Sequence, residues 1–232
     1  MAKPTKLPET PWEALTPLTR QTLTIDDRTF VLDRPPCFDK IFEHPAMYAA
    51  WEADEYLPYW ADLWPVSLEL AKAVLRELWP ENATVLELGC GLGLPGIAAL
   101  MRGLSVIFSD IDATAVQFAG RNARLNGFQN FELLQFDWRE PPDDLNVPVI
   151  LGSDLTFERR HIEPLIQLID KVLEPDGLCM LVDQNRPPAA LLRDLLPDWG
   201  FEYQCDPIKA RSPDQPTYKG SIYRIRRSPK RR

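Results

Sequence analysis

The chain reads as an α/β protein: a doubly wound, mostly parallel sheet of seven strands, preceded by a short N-terminal arm with a hairpin. Three observations predict this. From residue 66 onward, short apolar runs alternate with segments of helical periodicity at the spacing of βαβ units. The first of these runs opens directly into Gly89, Gly91, Gly93 and Gly96. Asp110, Asp137 and Asp154 stand where later runs end, and in an open parallel sheet the carboxyl ends of the strands are where ligands bind.

Each element follows from local signals. Before residue 66 prolines are frequent, so the region reads as an irregular arm with one hairpin, residues 22–25 and 30–32 flanking Asp26-Asp27. Ala71, Val74, Leu75 and Leu78 recur at i, i+3, i+4 and i+7 and mark an amphipathic helix ending at Pro80. The first strand covers residues 84–88. Pro95 suits the first turn of the helix after it, which stops near Gly103. The second strand, residues 104–109, meets Asp110, and Asp112 is placed to cap a helix closed by Asn126-Gly127. Residues 131–135 and 147–151 are the third and fourth strands. Ile162, Leu165, Ile166, Ile169 and Leu173 form the apolar stripe of the next helix, and residues 178–182 the fifth strand. A helix over 188–196 precedes the last two strands, 201–205 and 221–225. The expected organisation is an arm over 1–55, one α/β domain over 56–227 and a basic tail over 228–232.

Composition excludes several classes. With 232 residues and a net charge of −8, the body of the protein is not expected to bind nucleic acid nonspecifically. Six of the last nine residues are basic, which leaves −14 for the remainder (−8 less +6), and this tail reads as a solvated end. The four cysteines form no C-x-x-C pair, so reduced thiols in the cytoplasm are expected. No run approaches the roughly 20 apolar residues of a membrane span, and the N-terminus has no apolar leader, so neither insertion nor secretion is expected. His44 and His161 have no second ligand at metal spacing; both read as surface or loop residues, and no metal is expected. No P-loop or G-x-S-x-G pattern occurs. A monomer is the expected state.

The glycines admit two cofactors. Gly91-x-Gly93-x-x-Gly96 satisfies the dinucleotide fingerprint, with Asp110 near the spacing of a ribose-binding acid. However, the first glycine after the strand is Gly89, and Glu87 sits two residues before it, inside the strand. Glu-x-Gly-x-Gly-x-Gly resembles motif I of the class I, seven-β-strand, S-adenosylmethionine-dependent methyltransferases. That cofactor has no pyrophosphate and ends in an ammonium group, to which a carboxylate at the loop is electrostatically suited.

Further motifs narrow the resemblance. P-Y-W-A-D-L-W-P at residues 58–65 and D-L-T-F at 154–157, together with motif I, are similar to the set found in the protein-lysine methyltransferase group of that superfamily. The likeness covers roughly residues 55–185. It implies a Rossmann-like methyltransferase domain with S-adenosylmethionine held by Trp64, Glu87, Gly89, Gly91, Gly93, Asp110, Ile111, Asp137 and Trp138. Within that scheme Asp110 takes the ribose hydroxyls, Ile111 packs on the adenine, and Asp137 accepts from the adenine amino group. Asp154 and Phe157 match the group's acidic-x-x-Tyr/Phe motif and are the expected catalytic pair, with Tyr59 and Trp60 as substrate-facing walls.

The chemistry makes demands that these residues can meet. A lysine amine must lose its proton before it can attack a methyl group, which at pH 7 costs roughly 4–5 kcal/mol for a pKa near 10.4. An aromatic, partly dry pocket lowers that pKa, and a carboxylate orients the amine. Methyltransferases for planar nitrogens carry Asn/Asp-Pro-Pro-Tyr/Phe at this position, whereas this chain has Asp-Leu-Thr-Phe, which favours an aliphatic amine. Asp154 or Thr156 could instead cap the following helix, and Thr156 is the better placed of the two. The expected activity is transfer to a lysine of a protein substrate. A small-molecule amine methyltransferase, a catalytically silent methyltransferase-fold binding module and, more distantly, a nicotinamide-dependent oxidoreductase remain as alternatives.

Overall fold

In the computed structural model the chain is described over residues 17–35, 39, 41, 43, 45–54, 57–210 and 217–229. Residues 1–16 of the arm, Cys37, His44 and residues 230–232 of the tail lie outside these. The arm contributes a hairpin, β1 (Thr19–Ile25) and β2 (Arg28–Arg34), joined through Asp26-Asp27. Helix α1 (Pro45–Asp54) follows, in a stretch read from sequence as irregular. Its exposed rings Tyr48 and Trp51, three residues apart, gave no apolar stripe from which to read it.

The main sheet contains β3 (Thr84–Leu88), β4 (Ser105–Asp110), β5 (Glu132–Gln135), β6 (Val147–Ser153), β7 (Leu173–Asp183), β8 (Phe201–Ala210) and β9 (Tyr218–Arg227). Their order is β5-β4-β3-β6-β7-β9-β8. The first five run parallel, and β9 is antiparallel to both neighbours. Helices cover both faces because successive strand residues point to opposite sides. Val85, Phe108 and Leu151 pack with α2 (Pro65–Arg76), α3 (Leu94–Met101) and α4 (Ala113–Leu125). Leu86, Ile107 and Ile150 pack with α5 (Ile162–Val172) and α6 (Pro188–Leu195). Strand order reverses at β3, so a crevice opens at the carboxyl ends of β3, β4 and β6.

The hairpin is latched to α4 by side-chain amides that imitate a neighbouring strand. Asn122 accepts from the Asp33 amide (2.8 Å) and donates to the Asp33 carbonyl (3.1 Å), while Asn126, one turn later, bonds the Val31 amide and carbonyl. Asn122 also donates to the Leu92 carbonyl (3.0 Å), tying the hairpin to the glycine loop. Each such bond is worth about 0.5–1.5 kcal/mol.

Several expectations are corrected here. Helix α2 ends at Arg76 rather than running to Pro80. Glu77 turns extended, the Trp79 indole takes the Val74 carbonyl (2.8 Å), and Leu78 is 89% exposed rather than part of the stripe. β6 continues to Ser153, and β7 begins at Leu173 because Leu173 pairs with Val147 before the main register starts at Val149. The basic end is not all solvated. Arg224 pairs with Glu77 and Asp206, and Arg227 with Asp170, all from within β9. Among the described residues no helix is long and apolar enough to cross a membrane.

Candidate active site

The crevice at the strand ends is a cavity of about 530 Å³. All thirteen residues singled out from the sequence line it, from Tyr59 before α2 to Phe157 after β6.

Glycines build one end. Gly89, Gly91 and Gly93 have φ of +56°, +48° and +80°, a region that side chains with a Cβ enter only at a cost. Space is equally restrictive. A Cβ on Gly93 would lie 2.9 Å from the Ala119 Cβ, and one on Gly96 would lie 2.4 Å from the Phe108 ring. The backbone therefore approaches the cavity where no side chain fits, beside the N-terminus of α3. Glu87 is buried in the floor of this end. Its Oε2 accepts from the Gly96 amide in the first turn of α3 (3.0 Å), and burial drives its pKa well up. It thus braces the loop as well as bordering the cavity.

Asp110 leaves the end of β4 with both carboxylate oxygens engaged, Oδ2 by the Gly91 amide (3.1 Å) and Oδ1 by the Asp112 amide (3.0 Å). Burial raises its pKa to about 7. Asp112 caps α4 by accepting from the Thr114 amide (2.6 Å), the role expected of it. Ile111 is 41% exposed beside them, offering an apolar surface to a flat ring. Asp137 is paired with the Arg139 guanidinium (2.8 Å) and amide (2.9 Å).

The other end is aromatic. Ring contacts run without a break from Trp64 to Tyr59 (6.0 Å), Phe157 (5.5 Å), His161 (5.2 Å) and Trp138 (5.6 Å). Trp64 is steadied by its indole N–H on the Tyr59 carbonyl (2.8 Å). Trp60, by contrast, is buried against Phe118 and supports the wall from behind, with its backbone under Gly91.

Asp154 stands where the two ends meet. Its φ is +58°, and its amide donates to the Val182 carbonyl (2.7 Å), which holds the residue against the end of β7. Oδ2 accepts from Gln184 Nε2 (2.7 Å) and Arg186 Nη2 (2.9 Å), whereas Oδ1 is buried without a partner. Burial pushes its pKa up, and Arg186 and then Gln184 oppose the shift. Thr156 is not a helix cap, contrary to the sequence expectation. Its hydroxyl donates to Asp183 Oδ2 (2.9 Å), and the 3₁₀ turn before α5 has no side-chain cap.

Four residues carry weight that the sequence did not disclose. Gln184, Arg186 and Asp183 meet the D-L-T-F segment across roughly thirty positions of chain, a contact set by the pairing of β6 with β7. The Pro187-Pro188 pair marked a rigid loop there, without indicating its target. His161, read as a surface or loop residue, is instead a cavity residue between Phe157 and Trp138, and burial lowers its pKa.

These residues fit S-adenosylmethionine on structural grounds. The glycine cradle leaves room for an amino-acid chain at the α3 N-terminus, the Asp110 carboxylate is held where it would accept from ribose hydroxyls, and the exposed Ile111 would offer a face to adenine. Among the described residues four buried side-chain polar atoms lack a partner, and three of them belong to cavity residues: Ser153, Asp154 and His161. Buried polar groups are ordinarily satisfied, so this clustering marks a place where a ligand supplies the bonds.

Comparison with known proteins agrees. Residues 61–191, more than half of the chain, match the family described as lysine methyltransferase. The histone-arginine methyltransferase METTL23 of Xenopus laevis is 28% identical over 172 residues, 68% of this chain and 72% of that protein. A histidine protein methyltransferase 1 homolog of Dictyostelium discoideum is 30% identical over 130 residues, 53% of this chain but 42% of that protein. Among solved structures, the ribosomal protein L11 methylase of Lactobacillus delbrueckii subsp. bulgaricus superposes with a TM-score of 0.57 at 22% identity, over 70% of this chain and 79% of that one. With its fold, its glycine cradle and this match in hand, the chain belongs to the lysine methyltransferase family and is an S-adenosylmethionine-dependent methyltransferase.

Proposed function

We propose that the protein transfers a methyl group to the side-chain amine of a lysine in a protein substrate, in the cytoplasm. The observation that carries this reading is the buried, unpartnered Oδ1 of Asp154 in a cavity walled by Phe157, Tyr59 and His161. Bound S-adenosylmethionine supplies an electrophilic methyl group on a sulfonium. The protein's own task is then to present an uncharged nitrogen in line. Asp154 Oδ1 accepts a hydrogen bond from the amine and aims its lone pair, and orientation of this kind is worth about 7–11 kcal/mol in well-aligned reactions. The aromatic rings keep water away and disfavour the charged ammonium. Phe157 is held edge-on by both Tyr59 and His161, so it is a fixed wall. The described cysteines, Cys90, Cys179 and Cys205, are all free thiols, in keeping with a reducing compartment. Relatives named for arginine and histidine methylation define the competing outcomes.

The test is to incubate the protein with radiolabelled S-adenosylmethionine and a cell lysate, then to map the label by mass spectrometry. Label on lysine that disappears with Asp154→Ala is the expected result. Label on arginine or histidine, or label that persists in the variant, overturns the reading.

A further inference from the structure

The segment after β7 folds back across the end of β6 and is braced at every residue. Asp183 takes the Thr156 hydroxyl on one oxygen (2.9 Å) and the Asn185 amide on the other (2.5 Å). Asn185 has φ +55°, and Pro187 and Pro188 follow Arg186 at the start of α6. Arg186 therefore leaves a rigid loop. Its guanidinium lies over the Trp64 ring, 5.6 Å from the centroid, and reaches Asp154 Oδ2 at 2.9 Å, with the side chain 30% exposed.

Gln184 and Arg186 both bind the same oxygen of Asp154, leaving Oδ1 alone. That arrangement changes what Oδ1 prefers. A lone buried carboxylate attracts an ammonium ion most strongly, yet an ammonium has no lone pair to offer. A carboxylate already paired with a guanidinium still accepts a hydrogen bond but exerts little net charge, and the guanidinium repels a second cation nearby. Resting on the reading of Asp154 as the residue that holds the amine, we infer that Arg186 is a positioning and selectivity residue: it anchors Asp154 through Oδ2 and biases the site toward the uncharged amine over its ammonium form. The other charged groups around Asp154 do not supply this bias. Asp137 is paired with Arg139 and Glu158 with Arg160, Asp183 is engaged as above, and the remaining titratable neighbours, Tyr59 and His161, are shifted by burial toward their neutral forms. Asp62, also at the cavity, is shifted the same way.

Two measurements on the full chain test this, using Arg186→Gln, Arg186→Lys and Gln184→Ala. In a carbon-13 NMR titration of the Asp154 carboxyl without substrate, Arg186→Gln raises the apparent pKa by about one unit or more, the size of effect that an opposite charge at hydrogen-bond distance exerts. Arg186→Lys stays near the wild-type value. In the pH profile of kcat for the labelled protein substrate, which reports the bound complex, Arg186→Gln moves the rising limb about one unit higher, a roughly tenfold loss on that limb, with KM at pH 7 unchanged or lower. Arg186→Lys restores the limb. Gln184→Ala removes an uncharged donor to the same oxygen and moves the limb in the same direction, by well under one unit. An Arg186→Gln protein with the wild-type titration and limb but uniformly lower kcat overturns the inference. So does a Gln184→Ala protein whose limb moves by a full unit or more, a result that stands even where Arg186→Gln does not fold. The NMR titration needs no substrate, so its failure is separable from a finding that the methylated residue is not lysine.

Discussion

At the glycine end of the cavity the left-handed backbone falls on Gly89, Gly91 and Gly93; at the acceptor end it falls on Asp154 and Asn185. The two ends need the same turn for different reasons. Glycine enters it freely and brings the backbone against a ligand with nothing projecting. Asp and Asn pay roughly 1–2 kcal/mol to enter it, and are the non-glycine residues that do so most readily because a short polar side chain can bond locally. At Asp154 the side chain itself lines the cavity, and the strained shape is held by outside bonds: the Val182 carbonyl, Gln184 and Arg186. One end is shaped by permission, the other by constraint.

Substituting across this contrast breaks it. Asp154→Gly should relieve about 1 kcal/mol of left-handed strain while losing hydrogen bonds of similar worth, so urea denaturation shifts by about 1 kcal/mol or less. Methyl transfer, measured in the same preparation, should nevertheless fall by about a hundredfold or more, since misplacing the acceptor alone carries that cost. A variant that keeps its activity would mean the side chain at this turn is dispensable. The reverse substitution, Gly93→Ala, should cost about 2–4 kcal/mol of stability, from the left-handed φ and the contact with Ala119 together. Calorimetry should also find cofactor binding greatly weakened. A cost no larger than that of Asp154→Gly would erase the distinction between the two ends.

The smallest expected effect concerns pH at the glycine end. Asp110 titrates at about 7 in the folded protein because of burial, above its unfolded value of about 3.9. The folded state therefore holds more protons between these values. This group's contribution to stability is fully present below about pH 4 and is lost as pH rises to about 7. With Asp110 as the proposed ribose acceptor, the hydroxyls would donate to the ionised form, so cofactor affinity should tighten by up to about tenfold per unit as pH approaches 7 and then level off. Titration calorimetry at pH 6, 7 and 8 measures this directly. Asp110→Asn should flatten the dependence, and an unchanged slope in that variant would assign it elsewhere.

How much of this was legible beforehand varied with the range of the interaction. Thr84 to Leu88 announced a buried strand, Gly89 to Gly96 a ligand loop, and Asp112 a cap, because each signal lies within one turn or one strand of its consequence. Helix α1 was missed because its periodicity is weak, and Leu78 was assigned to α2 because periodicity continues past the point where Trp79 turns the chain. The hairpin was legible, but its attachment was not. Asn122 reads as an ordinary helix residue and Asn126 as a helix stop until β2 is laid along them.

The sequence by itself determined the alternation of strands and helices, the glycine cradle and the acids at the strand ends, since backbone preference and hydrophobic period act locally and leave a local record. Only the tertiary structure decided that Asp154 is held by Gln184 and Arg186, that Thr156 serves Asp183 rather than a helix, and that His161 joins an aromatic wall. The partners of Asp154 and Thr156 come together because β6 lies beside β7 in the sheet, and a pairing between residues some thirty positions apart leaves no periodic trace in the chain; His161 meets Trp138 only because the loops after β5 and β6 fold together.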